Sequence, residues 1–186
     1  MMVNSLRVAG AVACVCVLVF GGCERSVGAR PARYQYAARS TKEVPQVGTT
    51  VELTGSGLDK PEVFTYEQLA RMELMQLDDV RLRKSHYPDE VTSWRGPLLD
   101  VLLAEAEVRP GPMSFTLEGP DAYKIDCRRD DLTSAIIALQ DGDGRWLADL
   151  DKTRPWRLVV PQMPGNYWIM NLHRITVEPA ADSRSS

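Results

Sequence analysis

The spacing of apolar side chains changes along the chain, and each spacing predicts a different element. Residues 50–53 and 174–178 alternate polar and apolar side chains, as expected of a strand buried on one face. Residues 157–160 form an apolar run before Pro161, and residues 167–170 are aromatic and β-rich, so both are predicted strands. The strands at 157–160, 167–170 and 174–178 are expected to form a sheet nucleus on which earlier segments pack.

Two stretches have helical character. Thr65 and Gln68 have the spacing of a capping box, which predicts a short helix over residues 66–72. The second stretch begins with Pro97, whose missing backbone N–H is harmless at the first position of a helix. The apolar residues that follow share one helical face and are predicted core: Leu98, Leu99, Leu102, Leu103 and Ala106.

The middle of the chain predicts further strands at residues 74–82, 114–118, 123–127 and 135–139. Residues 84–93 are polar and are predicted to form a loop. An Asp-Gly pair in 141–144, between the apolar runs 135–139 and 145–148, predicts a hairpin. A calcium loop is the alternative, but Arg145 occupies its fifth position, where an oxygen ligand is needed.

The N-terminus has the pattern of a secretory signal, with Arg7 followed by apolar residues 8–20. This run is too short for a typical membrane span. Gly21-Gly22-Cys23 resembles the bacterial lipoprotein processing site, which implies cleavage before Cys23 and lipidation of Cys23; Phe20 departs from the usual leucine. Glu24, in place of aspartate, favours the outer membrane. A lipid-anchored protein facing the periplasm is expected, with plain secretion or an uncleaved anchor as the alternatives.

These patterns divide the chain into a signal peptide (1–22), a lipid-anchored linker (23–46), one domain (47–179) and a flexible tail (180–186). The linker is polar, although Tyr34 and Tyr36 offer the alternative that it docks onto the domain. Cys127 is the one thiol left in the mature domain, so no intramolecular disulfide is expected. A net charge of −3 argues against a general nucleic-acid binder, which needs a basic face.

An ordered series of motifs is similar to the molybdopterin-binding domain of the sulfite oxidase family. The motifs are FTYEQL at 64–69, WRGPLLDVLL at 94–103, DAY at 121–123, ALQDG at 138–142, RLVVP at 157–161, Trp168 and LHRITV at 172–177. The resemblance implies an α+β domain of mixed β-sheets with short flanking helices. In the family, this domain holds a molybdenum–pterin cofactor and transfers oxygen atoms to or from small oxyanions, sulfoxides or oxidised methionine.

One departure from the family bears on chemistry. The family binds molybdenum through a cysteine on the loop before the Trp-x-Gly motif, but residues 83–87 here are RKSHY. A thiolate is a soft anionic ligand suited to transition metals, whereas the Ser85 hydroxyl is not. Cys127 lies where the family places no metal ligand and is expected to be a buried structural thiol. No metal site, catalytic residue or cofactor is therefore expected, with molybdenum–molybdopterin as the alternative.

The resemblance also indicates a candidate ligand pocket: Lys84, Ser85, His86, Tyr87, Trp94, Arg95, Lys124 and Arg128. A solvated loop is the alternative for His86, a solvated face is the alternative for Lys124 and Arg128, and His173 is expected to be packed between strands.

Three functions remain open. The favoured one is a non-catalytic module that binds a small anionic ligand or a periplasmic protein. A molybdenum-dependent oxidoreductase with atypical metal ligation and a purely structural envelope protein are the alternatives.

Overall fold

The computed structural model describes residues 33–38, 43–83 and 86–180. Their strands are β1 (Arg33–Tyr36), β2 (Thr50–Thr54), β3 (Glu62–Thr65), β4 (Met75–Leu82), β5 (Glu90–Gly96), β6 (Met113–Glu118), β7 (Lys124–Arg128), β8 (Ile136–Ala138), β9 (Gln140–Asp141), β10 (Arg157–Val159) and β11 (Arg174–Pro179). Their helices are α1 (Tyr66–Arg71), α2 (Leu99–Glu105) and α3 (Leu147–Leu150), with 3-10 turns at Pro120–Ala122, Asp130–Leu132 and Gly165–Tyr167. The predictions for Cys23, for the signal peptide and for most of the linker lie outside the described residues.

A five-stranded sheet is arranged around β11 in the order β3-β2-β11-β6-β7. β11 pairs in parallel with β2 and antiparallel with β6, so the sheet is mixed. Ile175 and Val177 are buried while Arg174 and Thr176 lie on the other face, which confirms the alternation predicted for 174–178. The polar face of this sheet is turned to solvent.

A second sheet has the order β1-β4-β5-β9. The register between β4 and β5 shifts between Leu77 and Val80, where Asp79 has a φ of 57°. This bulge accounts for the two aspartates that interrupt the alternation in β4. The prediction of a loop at 84–93 is wrong from Glu90 onward, because β5 gains backbone pairing from β4 on one side and β9 on the other.

Part of the predicted linker is a strand. β1 pairs antiparallel with β4, and Ala37 N donates a hydrogen bond to Leu74 O at 2.9 Å. Tyr34 and Tyr36 stay exposed, so this strand is attached mainly by its backbone rather than by burial of its aromatic rings.

The predicted sheet nucleus at 157–178 is wrong in its pairing. β10 pairs with β8, whereas β11 belongs to the five-stranded sheet. Residues 167–170 form no strand and contribute only a single bridge between Arg157 and Met170. The Trp168 indole N–H donates to Val160 O at 3.0 Å, which folds this segment back over the end of β10.

α1 begins at Tyr66 as predicted, whereas the predicted start of α2 at Pro97 is wrong: the helix begins at Leu99, because Leu98 is extended and bridges Ile136. The Thr65 capping box is formed at α1, and Leu99, Leu102 and Leu103 of α2 are buried. The return strand predicted at 145–148 is wrong beyond Trp146, which bridges Gln140, because the chain then enters α3. None of the helices in the described ranges is long and apolar enough to cross a membrane.

The core between the sheets contains a cluster of buried aromatic rings. Tyr66 stacks on Trp156 with centroids 6.0 Å apart and meets Trp146 edge-on at 6.2 Å. Burial raises the pKa of Tyr66 well above its usual range. The Trp156 indole N–H donates to Leu172 O at 2.8 Å and so anchors the segment between β10 and β11. Mixed sheets with short helices confirm the predicted α+β architecture.

Candidate functional site

A cavity opens between the end of β4 and the segment that follows β10. Its volume is about 390 Å³, within the roughly 300–1,000 Å³ range of small-molecule sites. It is lined by Leu82, Arg83, His86, Tyr87, Arg157, Pro164, Gly165, Asn166, Trp168 and Met170. A cleft at this place is what the binding-module hypothesis requires, whereas a purely structural role predicts a site filled by side chains.

Gly165 holds the two walls of the cavity together. Its backbone N–H donates to Arg83 O at 3.1 Å. A Cβ atom at this position would lie 2.7 Å from both Arg83 O and Leu82 Cδ1. A glycine is therefore needed for the loop after β10 to approach the end of β4 this closely.

The wall after β10 is fixed by hydrogen bonds from side chains. Trp168 Nε1 donates to Val160 O, and Tyr123 Oη donates to Asn166 O at 3.0 Å. Trp168 is buried, so the indole both packs in the core and forms the inner wall of the cavity. These bonds hold the wall in place before any ligand arrives.

Arg157 is a cation of the cavity lining whose position is fixed by a strand and by an aromatic contact. It is the first residue of β10, and its guanidinium carbon lies 5.1 Å from the centroid of the Trp94 ring. Burial lowers the pKa of Arg157, the carboxylate of Glu90 opposes that shift, and Arg154 adds to it. Glu90 is close enough to act on Arg157 but does not cancel the effect of burial, so a bound anion can still gain from this guanidinium.

The lining is positive. Arg83 and Arg157 are cationic, His86 adds charge when protonated, and none of the described lining residues is acidic. Guanidinium groups bind carboxylates, sulfate-like anions and phosphates through paired hydrogen bonds, and partial burial reduces screening by salt. The arrangement is suited to holding a small anion against the apolar surface of Leu82, Trp168 and Met170.

Two of the pocket residues expected from the sequence, His86 and Tyr87, line this cavity. Trp94 lies against Arg157 and lines a neighbouring cavity instead. Arg95 turns toward the hairpin, where Nη2 donates to Gly142 O at 2.8 Å. Lys84 and Ser85 lie outside the described residues.

Lys124 and Arg128 lie on the solvent face of the five-stranded sheet, because both occupy outward positions of β7. Lys124 Nζ is 3.2 Å from Glu118 Oε2, and His173 Nε2 is 3.7 Å from Glu118 Oε1. His173 is partly exposed in this polar network, so the expectation that it is packed between strands is wrong. Neither Lys124 nor Arg128 belongs to the cavity lining.

Arg83, Arg157, Asn166 and Met170 line the cavity but were not among the predicted pocket residues. A signal existed for Arg157, since it is the one charged residue of the apolar run 157–160. No local pattern marked Arg83 or Met170, because the cavity depends on two segments far apart in sequence.

The hairpin at Asp141 is a turn, as predicted. Asp141 Oδ1 accepts from the backbone N–H groups of Asp143 and Arg145 at 3.0 Å, and Arg145 Nε donates to Asp141 Oδ2 at 2.7 Å. These bonds lower the pKa of Asp141 although burial opposes the shift. The carboxylate is thus engaged within the turn.

The donors present at the cavity do not fit a thiolate-bound molybdenum cofactor. Met170 is the sulfur-containing residue among the described lining residues, and a thioether carries no charge. Cys127 is 7% exposed on β7, opposite Phe115, and burial raises the pKa of its thiol to about 12. Within the described ranges, no cluster of His, Cys, Asp and Glu could hold a metal ion. Cys127 is a buried thiol, as expected.

Comparisons with known proteins identify the family. The family model for the oxidoreductase molybdopterin binding domain matches residues 84–185, more than half of the chain. No curated protein matches. Among solved structures, the fold is similar to the sulfane dehydrogenase SoxCD from Paracoccus pantotrophus, with a TM-score of 0.61 and 24% identity over 76% of this chain. The chain covers only 41% of that protein's chain. The predicted family and fold are confirmed: this chain belongs to the oxidoreductase molybdopterin-binding domain family.

Proposed function

We propose that this protein is a lipid-anchored envelope protein whose molybdopterin-type domain binds a small anion without catalysing a redox reaction. The single observation that carries the proposal is the lining of the 390 Å³ cavity. It combines Arg83, Arg157 and His86 with apolar walls and, among its described residues, offers neither a carboxylate nor a thiolate.

The anionic character of the ligand follows from Arg157. The Arg157 guanidinium is half-buried and poorly solvated, and the Glu90 carboxylate does not cancel the effect of this burial on its pKa. An anion bound beside the guanidinium restores the lost interactions. Leu82, Trp168 and Met170 next to this charge favour an anion with an apolar or planar part. A ligand of this kind gains from both hydrogen bonds and burial.

The non-catalytic role follows from the metal ligand that is missing. The loop 83–87 contains no cysteine. The Cys127 thiol lies in the core and stays protonated at neutral pH. The chain thus retains the scaffold of its family without the anionic sulfur that would bind molybdenum.

The envelope location is supported by the sequence, in which Gly21-Gly22-Cys23 follows a short apolar run. Lipid on Cys23 would tether the domain to the membrane.

Thermal unfolding of the purified protein with a panel of anions tests the proposal. Sulfite, sulfate, phosphate and benzoate are suitable probes, with chloride at equal ionic strength as the control. An anion that binds the folded state raises the unfolding temperature in proportion to its affinity. We expect at least one of these anions to raise the temperature in a saturable manner. No saturable effect from any anion would contradict an anion site.

A further inference from the structure

A second cavity adjoins the first. Its volume is about 220 Å³, and it is lined in part by Trp94, Leu147 and Leu150. Arg157 and Met170 line both cavities, so the two are adjacent. An occupant longer than a small anion can therefore extend from one cavity into the other across Arg157.

Large apolar side chains surround the two cavities. Tyr87 is 75% exposed, Leu150 is 62% exposed and Met170 is 40% exposed. Exposed aromatic and methionine side chains beside a cavity are typical of surfaces that bind protein segments. Each of these residues lines one or both cavities, so the apolar surface is continuous with them.

The same region holds three arginines, and nearby carboxylates act on two of them, Glu90 on Arg157 and Asp151 on Arg154. Among the described residues, Arg83, Arg154 and Arg157 form no ion pair. Six arginines elsewhere pair with carboxylates, whereas within the described ranges Arg71, Arg95 and Arg128 do not; the paired ones are Arg33, Arg81, Arg109, Arg129, Arg145 and Arg174.

Asp151, which lines the second cavity, offsets part of this positive charge because its carboxylate interacts with Arg154. Its Oδ1 accepts from Thr153 N at 2.9 Å and from Thr153 Oγ1 at 2.6 Å. The described lining of the two cavities holds three arginines and one carboxylate, so its net charge remains positive.

Residues 24–47 and 181–186 do not match this surface. Residues 24–47 carry more basic than acidic side chains, and residues 181–186 contain no large apolar side chain. Charge complementarity therefore favours an acidic segment from a different protein.

We propose that the two cavities form one groove that binds an extended segment of a partner protein bearing both carboxylate and large apolar side chains. A carboxylate binds in the first cavity beside Arg83 and Arg157, and an apolar side chain packs in the second against Leu150 and Trp94. Arg154 binds a further carboxylate at the rim. This inference rests on the proposed function, because the anionic anchor occupies the same cavity.

Selection from a random-peptide phage library on the purified full chain tests the proposal. We expect recovered peptides to combine Asp or Glu with Leu, Phe or Trp. The binding of a synthetic peptide of the recovered sequence is then measured by fluorescence polarisation. Leu150→Asp should weaken binding by about tenfold or more, because it removes a buried apolar contact. Arg154→Gln should weaken binding by about two- to fivefold, because it removes an exposed charge pair. Arg128→Gln, an exposed arginine outside the groove, is the matched control and should leave binding unchanged.

The outcomes separate this inference from the proposed function. If no acidic peptide is enriched, or if Leu150→Asp retains full affinity, the partner groove is refuted. Anions that still raise the unfolding temperature in that case leave the proposed function standing. If neither peptides nor anions bind, both proposals fail.

Discussion

Arg157→Gln is expected to weaken anion binding strongly while changing the stability of the fold only slightly. The change removes the guanidinium that stacks on Trp94 and reaches both cavities. A hydrogen bond to a charged group contributes about 1.5–3 kcal/mol. We therefore expect the affinity for the best-binding anion to fall by roughly 10- to 150-fold.

The effect of this substitution on stability should be small because two contributions oppose each other. Loss of the contact between Arg157 and Trp94 costs about 0.5–2 kcal/mol. Glutamine, however, removes a partly buried charge whose desolvation is only partly offset by the Glu90 carboxylate. We expect the free energy of unfolding to change by less than about 1 kcal/mol, as for many partly exposed substitutions.

Isothermal titration calorimetry with the best-binding anion measures the affinity, and urea unfolding measures the stability. Arg128→Gln is the control, because the sequence indicates Arg128 as a pocket residue whereas the structure has it on the outer face of β7. If Arg128→Gln weakens binding as much as Arg157→Gln, the assignment of the cavity is refuted. Unchanged affinity in Arg157→Gln would refute the role of that guanidinium.

Further predictions concern the fold around the site. Gly165→Ala should destabilise the protein by about 1–3 kcal/mol in urea unfolding, because its Cβ would meet Arg83 O, as in other overpacked sites. Gly48→Ala, with no atom within 4 Å of the added Cβ, should show no such loss. Thr65→Ala should cost about 1 kcal/mol by removing the capping box of α1; an unchanged urea midpoint would contradict this. In the folded protein the pKa of Cys127 is about 12, compared with an ordinary value of 9.0. Its contribution to the free energy of unfolding is therefore complete below pH 9. The free energy of unfolding should then fall by up to about 1.4 kcal/mol per pH unit above that. Cys127→Ala should flatten this slope between about pH 9 and 10, and an equal slope in both proteins would contradict the burial of the thiol.

Local sequence patterns correctly predicted those elements whose structure depends mainly on residues close to one another in the chain. The leucine face of α2, the capping box at Thr65 and the alternation of β11 depend on neighbouring residues, and all three formed as expected. The family resemblance added the α+β architecture. These features needed no knowledge of distant contacts.

Elements stabilised by distant pairing were not predictable in this way. β5 is polar over much of its length and becomes a strand only because β4 and β9 flank it. Residues 167–170 have strand composition, yet the Trp168 indole bonds to Val160 O instead of entering a sheet. At both places, tertiary contacts rather than local propensity determined the secondary structure.

Only some residues of the candidate site could be predicted, because the others depend on contacts between distant segments. His86 and Tyr87 could be found because the family places a pocket loop there. Arg157 and Met170 enter the cavity through a bridge between two strand-like segments, which no local motif encodes.

Molybdenum analysis by inductively coupled plasma mass spectrometry tests the central claim most directly. The protein would be made in a bacterial host that synthesises the molybdenum cofactor, beside a family member that carries the cysteine ligand. We predict that the family member is loaded while this protein contains only trace molybdenum and still unfolds cooperatively. Molybdenum in near-equal proportion to this chain would contradict the account.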